Sequence, residues 1–194
     1  MPKQKQVNTI AILMPGDMGH GCAIAFQKNG FRVVTCLNGR SQHTRNLAKK
    51  AGLKIMPDLN ALVKKADLIL SILPPEYAVE QAIHVAAAMK ATDTYPDYVD
   101  CNAISPATAK KVAATFVGSA TNFVDGGIIG LNPVKEAGLT RLYVSGSETT
   151  LVRQLNGQGM IVRDLGPEIG RASVMKMVYA SSTKGAFSLF TAVA

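Results

Sequence analysis

Three glycines stand close together behind an apolar run near the start of the chain. "TIAILM" (9–14) is followed by Pro15, Gly16, Asp17, Met18 and Gly19, with Gly21 two residues on. An apolar strand that turns through glycines into a helix brings unpaired backbone N–H groups and the positive end of the helix dipole to one point. The chemistry this suits is capture of a phosphate or diphosphate. In a G-x-G-x-x-G turn the first glycine makes the bend, the second admits the diphosphate and the third lets helix lie close on strand. Gly16 and Gly19 take the second and third places, and Met14 takes the first. Pro15 fixes its own φ and biases the residue before it, so an extended Met14 is expected. Asp17 opposes an anion here unless its carboxylate caps the helix.

A second group lies where the next strand should end. From Gly16 to Asn38 is 22 positions, and the sequence there reads "LNGRSQHTR". Dinucleotide sites that select NAD carry an acid about 20 residues past the turn, on the ribose 2′-hydroxyl. No acid occurs between Asp17 and Asp58. Arg40 offers a planar fork that suits a phosphate, Ser41 a hydroxyl donor and Arg45 a second guanidinium. Asn38, Arg40, Ser41 and Arg45 therefore point to a 2′-phosphate and to NADP, with NAD as the alternative.

The charge of the chain has the same bias. The formal net charge is +8, and residues 1–57 hold nine Lys/Arg against Asp17 alone, while the remainder carries twelve of each sign. A basic first third favours an anionic partner. It has no basic–aromatic interleaving and no nucleic-acid module, so a phosphate-bearing small molecule is the expected partner and nucleic acid is not. Cys22, Cys36 and Cys101 form no C-x-x-C pair and read as buried thiols in a reducing, cytoplasmic setting. No apolar stretch reaches the length of a membrane span. His20, His43 and His84 are scattered without carboxylate partners, so no metal site is expected. A G-x-S-x-G elbow is absent, which disfavours a nucleophilic hydrolase.

The elements that must position these groups alternate. "TIAILM" (9–14), "RVVTCL" (32–37), "DLILSIL" (67–73), "DYVDC" (97–101) and "NFVDGGII" (122–129) read as buried strands. Residues 17–29, 42–51, 58–65, 76–90 and 105–117 carry helical spacing, with Asp58, Pro74-Pro75-Glu76 and Ser105-Pro106 as helix starts. "RLYVSGS" (141–147) and "MIVRDLG" (160–166) add two strands around a short helix. Strand–helix alternation predicts an α/β fold with a mostly parallel sheet covered on both faces. Residues 170–194 read as one helix that is apolar almost all round, which belongs against a second domain or a second subunit. On that reading the chain is cut short.

Taken together, these motifs resemble the β-hydroxyacid dehydrogenase family, which includes 3-hydroxyisobutyrate and 6-phosphogluconate dehydrogenases. The likeness spans essentially the whole chain and is nearest to a phosphogluconate dehydrogenase-like branch. "PGDMG" (15–19) is similar to the cofactor loop, and "SILPP" (71–75), with Leu73 and Pro74, to the loop beside the nicotinamide. "DCNAISP" (100–106) resembles the strand end that places Asn102 at the nicotinamide ribose or substrate. "FVDGGIIG" (123–130) stands at the substrate motif, which implies substrate-binding roles for Asp125, Gly126, Gly127 and Ile129. "GRASVMK" (170–176) matches the motif whose lysine is catalytic, here Lys176.

The resemblance implies a Rossmann-type doubly wound sheet over residues 1–165. Residues 166–194 would then open an all-α domain through which the family forms homodimers. It also implies hydride transfer between a nicotinamide and a small β-hydroxyacid-like substrate, or a related carbonyl or imine, with Lys176 moving the proton. Three departures stand out. Ile129 replaces a substrate-binding serine, Tyr179 an asparagine one turn after Lys176, and Ala172 a glycine. Lys184, about 80° round an ideal helix from Lys176, is a candidate for a substrate carboxylate or phosphate. The rival expectation is an NADP(H)-binding module without turnover, such as a redox sensor.

Overall fold

The computed structural model describes residues 5–135 and 138–193. Strands and helices alternate as β1 (Thr9–Leu13), α1 (Asp17–Lys28), β2 (Arg32–Cys36), α2 (Gln42–Lys50), β3 (Lys54–Met56), α3 (Leu59–Lys65) and β4 (Leu68–Ser71). They continue through α4 (Ala78–Thr92), β5 (Asp97–Asp100), α5 (Pro106–Ala114) and β6 (Phe123–Ile129). Then come β7 (Arg141–Ser145), α6 (Thr150–Arg153), β8 (Ile161–Asp164), α7 (Arg171–Ala180) and α8 (Ala186–Val193). The strands form one sheet in the order β3-β2-β1-β4-β5-β6-β7-β8. It is parallel from β3 to β6; β7 runs antiparallel to β6, and β8 parallel to β7. This is the doubly wound Rossmann-type sheet, with its strand order reversing between β1 and β4. A crevice opens outside the carboxyl ends of the strands at that reversal.

Alternation along each strand feeds two cores. Ile10, Ile12, Leu68, Leu70, Val99 and Val124 face α1, α2 and α6, while Ala11, Leu13, Ile69 and Tyr98 face α3, α4 and α5. Strands buried on both faces read as unbroken apolar runs, which is why they were legible. Helix starts follow the expected chemistry. Asp58 accepts from Ala61 N at 2.7 Å, and Ser105 accepts from Thr108 N at 3.1 Å with Pro106 in the first turn. Pro75–Tyr77 form a short 3₁₀ turn before α4.

Three features depart from expectation. β3 is a three-residue edge strand whose Lys54 and Ile55 are exposed, so no buried face marks it in the sequence. The last helix is not one regular α-helix, because a π-helical segment, Ser181–Gly185, separates α7 from α8. Met14 is not extended but left-handed, with φ +57°. The missing glycine thus leaves its backbone conformation behind, and a Gly16 N to Met14 O bond of 2.7 Å closes a tight turn around Pro15 directly after it. A side chain in that region costs about 1–2 kcal/mol.

Gly126 carries the closest strand contact in the sheet centre. A Cβ there would lie 2.8 Å from the Asp100 carbonyl oxygen and 3.0 Å from Val99. The Asp100 carbonyl is strand backbone and cannot yield, and the Val99 methyl beside it is packed in the core, so Gly126→Ala is expected to lower the unfolding free energy by about 1–3 kcal/mol. Urea denaturation checks this, and an unchanged midpoint would contradict the packing described.

Candidate cofactor and active site

The carboxyl edge of the sheet gathers the groups singled out above. At the end of β1, Gly16 is the N-cap of α1, and the first intrahelical bond runs from His20 N to Gly16 O at 2.7 Å. The N–H groups of Asp17, Met18 and Gly19 precede it and have no helical acceptor. A Cβ on Gly16 would meet nothing within 4 Å, so the backbone here borders open space. A Cβ on Gly19 would press on Ile12 at 3.2 Å and on the Met14 carbonyl at 3.3 Å, the close strand–helix approach that a third glycine serves. Asp17 does not cap the helix: it lies in the first turn, exposed, 3.6 Å from the Lys135 ammonium.

Past β2 the loop is braced from within. Asn38 donates to Pro57 O at 2.8 Å, and Arg45 donates to Leu37 O at 2.8 Å and to Arg40 O at 3.2 Å. Ser41 caps α2 by accepting from Thr44 N. Asn38 and Arg45 thus shape the loop that presents Arg40. The Arg40 guanidinium donates to Gln81 at 2.5 Å and touches the Met14 sulfur at 3.8 Å, and its buried Nε has no partner. It lines a cleft of about 770 Å³ together with Leu13, Cys36, Tyr77 and His84. An orphaned guanidinium N–H in a cleft beside free helix amides fits the adenosine and phosphates of a dinucleotide. A larger open cleft of about 1190 Å³ lies at the opposite edge, between Asn8, Phe31 and Arg153, away from all of these groups.

The strand ends after β4 and β5 are locked together by Asn102. Its Oδ1 accepts from Leu73 N at 2.7 Å, while Nδ2 donates to Ser71 Oγ and Asp100, both at 3.1 Å. In this structure the buried amide, expected at the ribose or substrate, holds the loop of Leu73 and Pro74. Burial pushes the Asp100 carboxyl up to about 6, against the pull of its bonds from Asn102.

Asp125 is likewise bonded within the fold. Its carboxylate accepts from Gly170 N at 2.9 Å, Ser173 N at 3.0 Å, Ser173 Oγ at 2.6 Å and Ser145 Oγ at 3.2 Å. It faces the start of α7 rather than a ligand. Gly127 lets that helix close on β6, since a Cβ would meet the Ala172 carbonyl and Lys176 Cβ, each at 3.0 Å. Gly126 faces β5, and Ile129 is buried at 4% exposure, so neither offers a polar contact.

Lys176 emerges half-buried from this seat and donates to the Ile128 carbonyl. Burial, then the nearby Lys184 ammonium, lower its pKa from the ordinary lysine value, while Cys101 acts weakly the other way. Tyr179 follows one turn later, partly exposed. Sequence reading missed Asn132, buried in the β6–β7 loop. It donates to the Asp17 carbonyl at 2.6 Å and fills the space beside Gly21, tying that loop to the cofactor helix. Asn132-Pro133 signals a turn in sequence, but not its contact 115 residues away. Among the described residues, no group of three His, Cys, Asp or Glu is placed to hold a metal, and no helix is long and apolar enough to cross a membrane.

Comparison with known proteins gives this edge its context. Residues 9–156 match the family described as the NAD binding domain of 6-phosphogluconate dehydrogenase. A protein from Methanothermus fervidus, described as an uncharacterized 28.5 kDa protein in the 7S RNA 5′ region, is 33% identical over 159 residues. That alignment takes 82% of this chain and 59% of that protein. A solved conserved protein of unknown function, noted for structural similarity with 3-hydroxyacid dehydrogenases, is 28% identical with a TM-score of 0.79, over 93% of this chain and 66% of that one. A reductive aminase from Aspergillus terreus, solved with NADPH4, cyclohexanone and allyl amine, shares the fold at 20% identity and TM-score 0.79, over 95% and 64% of the two chains.

The fold and its edge define an NAD(P)-binding domain of the dehydrogenase type. The chain belongs to the family of 6-phosphogluconate dehydrogenase NAD-binding domains, within the β-hydroxyacid dehydrogenases. It spans about 59% of the length of its curated relative.

Asp100 gives this edge a measurable pH dependence. Its folded pKa, about 6, lies above the unfolded value near 3.9. The unfolded chain therefore releases this proton first, and stability falls as pH rises through roughly 4 to 6. Asp100→Asn removes that titration. Its thermal midpoint is expected to vary less than wild type across this window, and an identical slope in both proteins would refute the assignment.

Proposed function

We propose that this chain is the cofactor domain of an NADP-preferring oxidoreductase acting on a small β-hydroxyacid-like compound or the related carbonyl or imine. One observation carries the reading. Free amides at the start of α1, the Arg40 cleft and the half-buried Lys176 all belong to the same carboxyl edge of the sheet. The amides of Asp17, Met18 and Gly19 would receive the diphosphate, with Gly16 leaving room for it. Arg40 and Ser41 would hold the 2′-phosphate, and Leu73 and Pro74 would wall the nicotinamide end. When bound, the nicotinamide supplies or accepts a hydride.

The proton falls to Lys176. Its lowered pKa moves it toward the range in which an ammonium gives and takes protons at working pH. Its bond to Ile128 O aims Nζ at the β6 end, and Asp125 positions it by seating α7. Tyr179, one turn on, is placed to share the same substrate. Ile129 in place of a hydroxyl residue favours a less polar substrate body. The same reading takes residues 1–165 as the cofactor unit and 166–194 as the start of a helical one. Phe187 and Phe190 on α8, both strongly exposed, would then be covered by a second copy.

A second reading, an NADP(H)-binding module without turnover, draws on Asp17, whose exposed carboxylate stands in the anion-binding turn. Two substitutions separate the readings. Arg40→Ala is expected to weaken NADPH at least tenfold more than NADH in a fluorescence titration; equal losses would remove the preference for the phosphorylated cofactor. Lys176→Ala should keep NADPH affinity within a few-fold and abolish NADPH oxidation over a panel of β-keto acids and imines. Turnover that survives this change would dismiss Lys176 as the proton carrier.

A further inference from the structure

The π-helical segment at Ser181–Gly185 changes which residues share a face with Lys176. In an unbroken α-helix Lys184 would lie about 80° from Lys176 around the axis. A π turn takes in one extra residue. Lys184 then occupies the place of a seventh residue rather than an eighth, about 20° from Lys176 and roughly 10 Å along the axis. The segment has local causes. Ser182 Oγ donates to Val178 O at 2.9 Å and Thr183 Oγ1 to Tyr179 O at 2.8 Å, so side chains compete for helix carbonyls, and Gly185 follows. Lys184 lies near enough for its ammonium charge to lower the pKa of Lys176, in keeping with that placement.

The surroundings leave the pair's positive charge available. Asp100 and Asp125 lie beneath α7 on β5 and β6, but both are fully buried and their oxygens are taken by Asn102, Ser145, Gly170 and Ser173. Arg171 pairs with Glu168 at 3.1 Å. Among the described residues neither lysine has a carboxylate within ion-pair distance, and Lys176 commits one of its three donors to Ile128 O. Two ammonium groups held on one face without a counter-charge form a receptor for a small oxyanion.

We infer that Lys176 and Lys184, brought onto one face by the π segment, form a two-point subsite for an oxyanion of the substrate, a carboxylate or a phosphoryl group. This rests on the proposed function for the identity of the site and adds Lys184 as a second group that recognises the substrate's anion. Ile129 removes a hydroxyl from the β6 side, and the pair supplies anion recognition from the helix side instead. Lys184 is thus a specificity residue, while Lys176 serves both proton and anion.

The test is 13C NMR of the intact lysine-labelled chain, which reads each ammonium without any turnover. Malonate is expected to move the Lys176 and Lys184 Cε signals together, with inorganic phosphate run in parallel to distinguish carboxylate from phosphoryl. Lys184→Gln should raise the Lys176 titration midpoint and weaken the anion that moves the wild-type signals tenfold or more. Ser182→Ala with Thr183→Ala removes both hydroxyls that compete for helix carbonyls, lets an α turn close with every residue retained, moves Lys184 to about 80° from Lys176 with its charge intact, and should do the same. Lys184 is exposed and has no carboxylate partner among the described residues, so Lys184→Gln keeps the fold and reads the outcome even if the double substitution leaves the π turn in place. An unchanged Lys176 midpoint and unchanged anion affinity in Lys184→Gln would overturn the subsite. Anion binding by both lysines in a chain that binds no dinucleotide would leave the subsite standing and remove the redox reading alone.

Discussion

A single buried carboxylate organises the active edge. Asp125 sits on β6 with no exposure and receives two backbone amides and a hydroxyl from the start of α7, with another hydroxyl from β7. A carboxylate buried without such donors would cost several kcal/mol, so the helix start and the charge require each other. The consequence runs along α7. Ala172 and Lys176 close over Gly127, and the lysine amine reaches the end of β6 instead of solvent. Without that seat Lys176 is one more cation on a greasy helix.

The opposite side of the crevice is governed by backbone rather than charge. Met14 holds a conformation that glycine adopts freely, at a cost of about 1–2 kcal/mol. Its sulfur lies against Arg40, and Arg40 in turn reaches Gln81 on α4. The side chain that replaces the leading glycine therefore packs against the arginine that lines the cleft. Asn132 fastens the β6–β7 loop to the first turn of α1, linking that turn to the strand that carries Asp125.

Most of the strands and the α/β class of the fold could be read directly, because parallel strands buried on both faces are written as continuous apolar runs between capped helices; the doubly wound arrangement came from the family resemblance. β3 could not: its three residues have no buried face to mark them. Met14 was misread for a definable reason. The bias imposed by Pro15 is only a local preference, and the strand-to-helix turn needs a positive φ at this position whichever residue fills it. The roles of Asn102 and Asp125 depend on partners 31 and 48 residues away, which no local spacing reveals. The π segment was hidden because serine, threonine and glycine in a helix give no sign of where their hydroxyls will turn. It brings Lys184 round toward the side of the helix that carries Lys176.

The account stands or falls on where a dinucleotide lies. A crystal structure of the chain grown with NADPH is the direct measurement. It should place the diphosphate on the amides of Asp17, Met18 and Gly19, the 2′-phosphate against Arg40, and the nicotinamide on the Lys176 side of Leu73 and Pro74. A crevice filled by the Met14 side chain, or a cofactor bound elsewhere on the molecule, would contradict it.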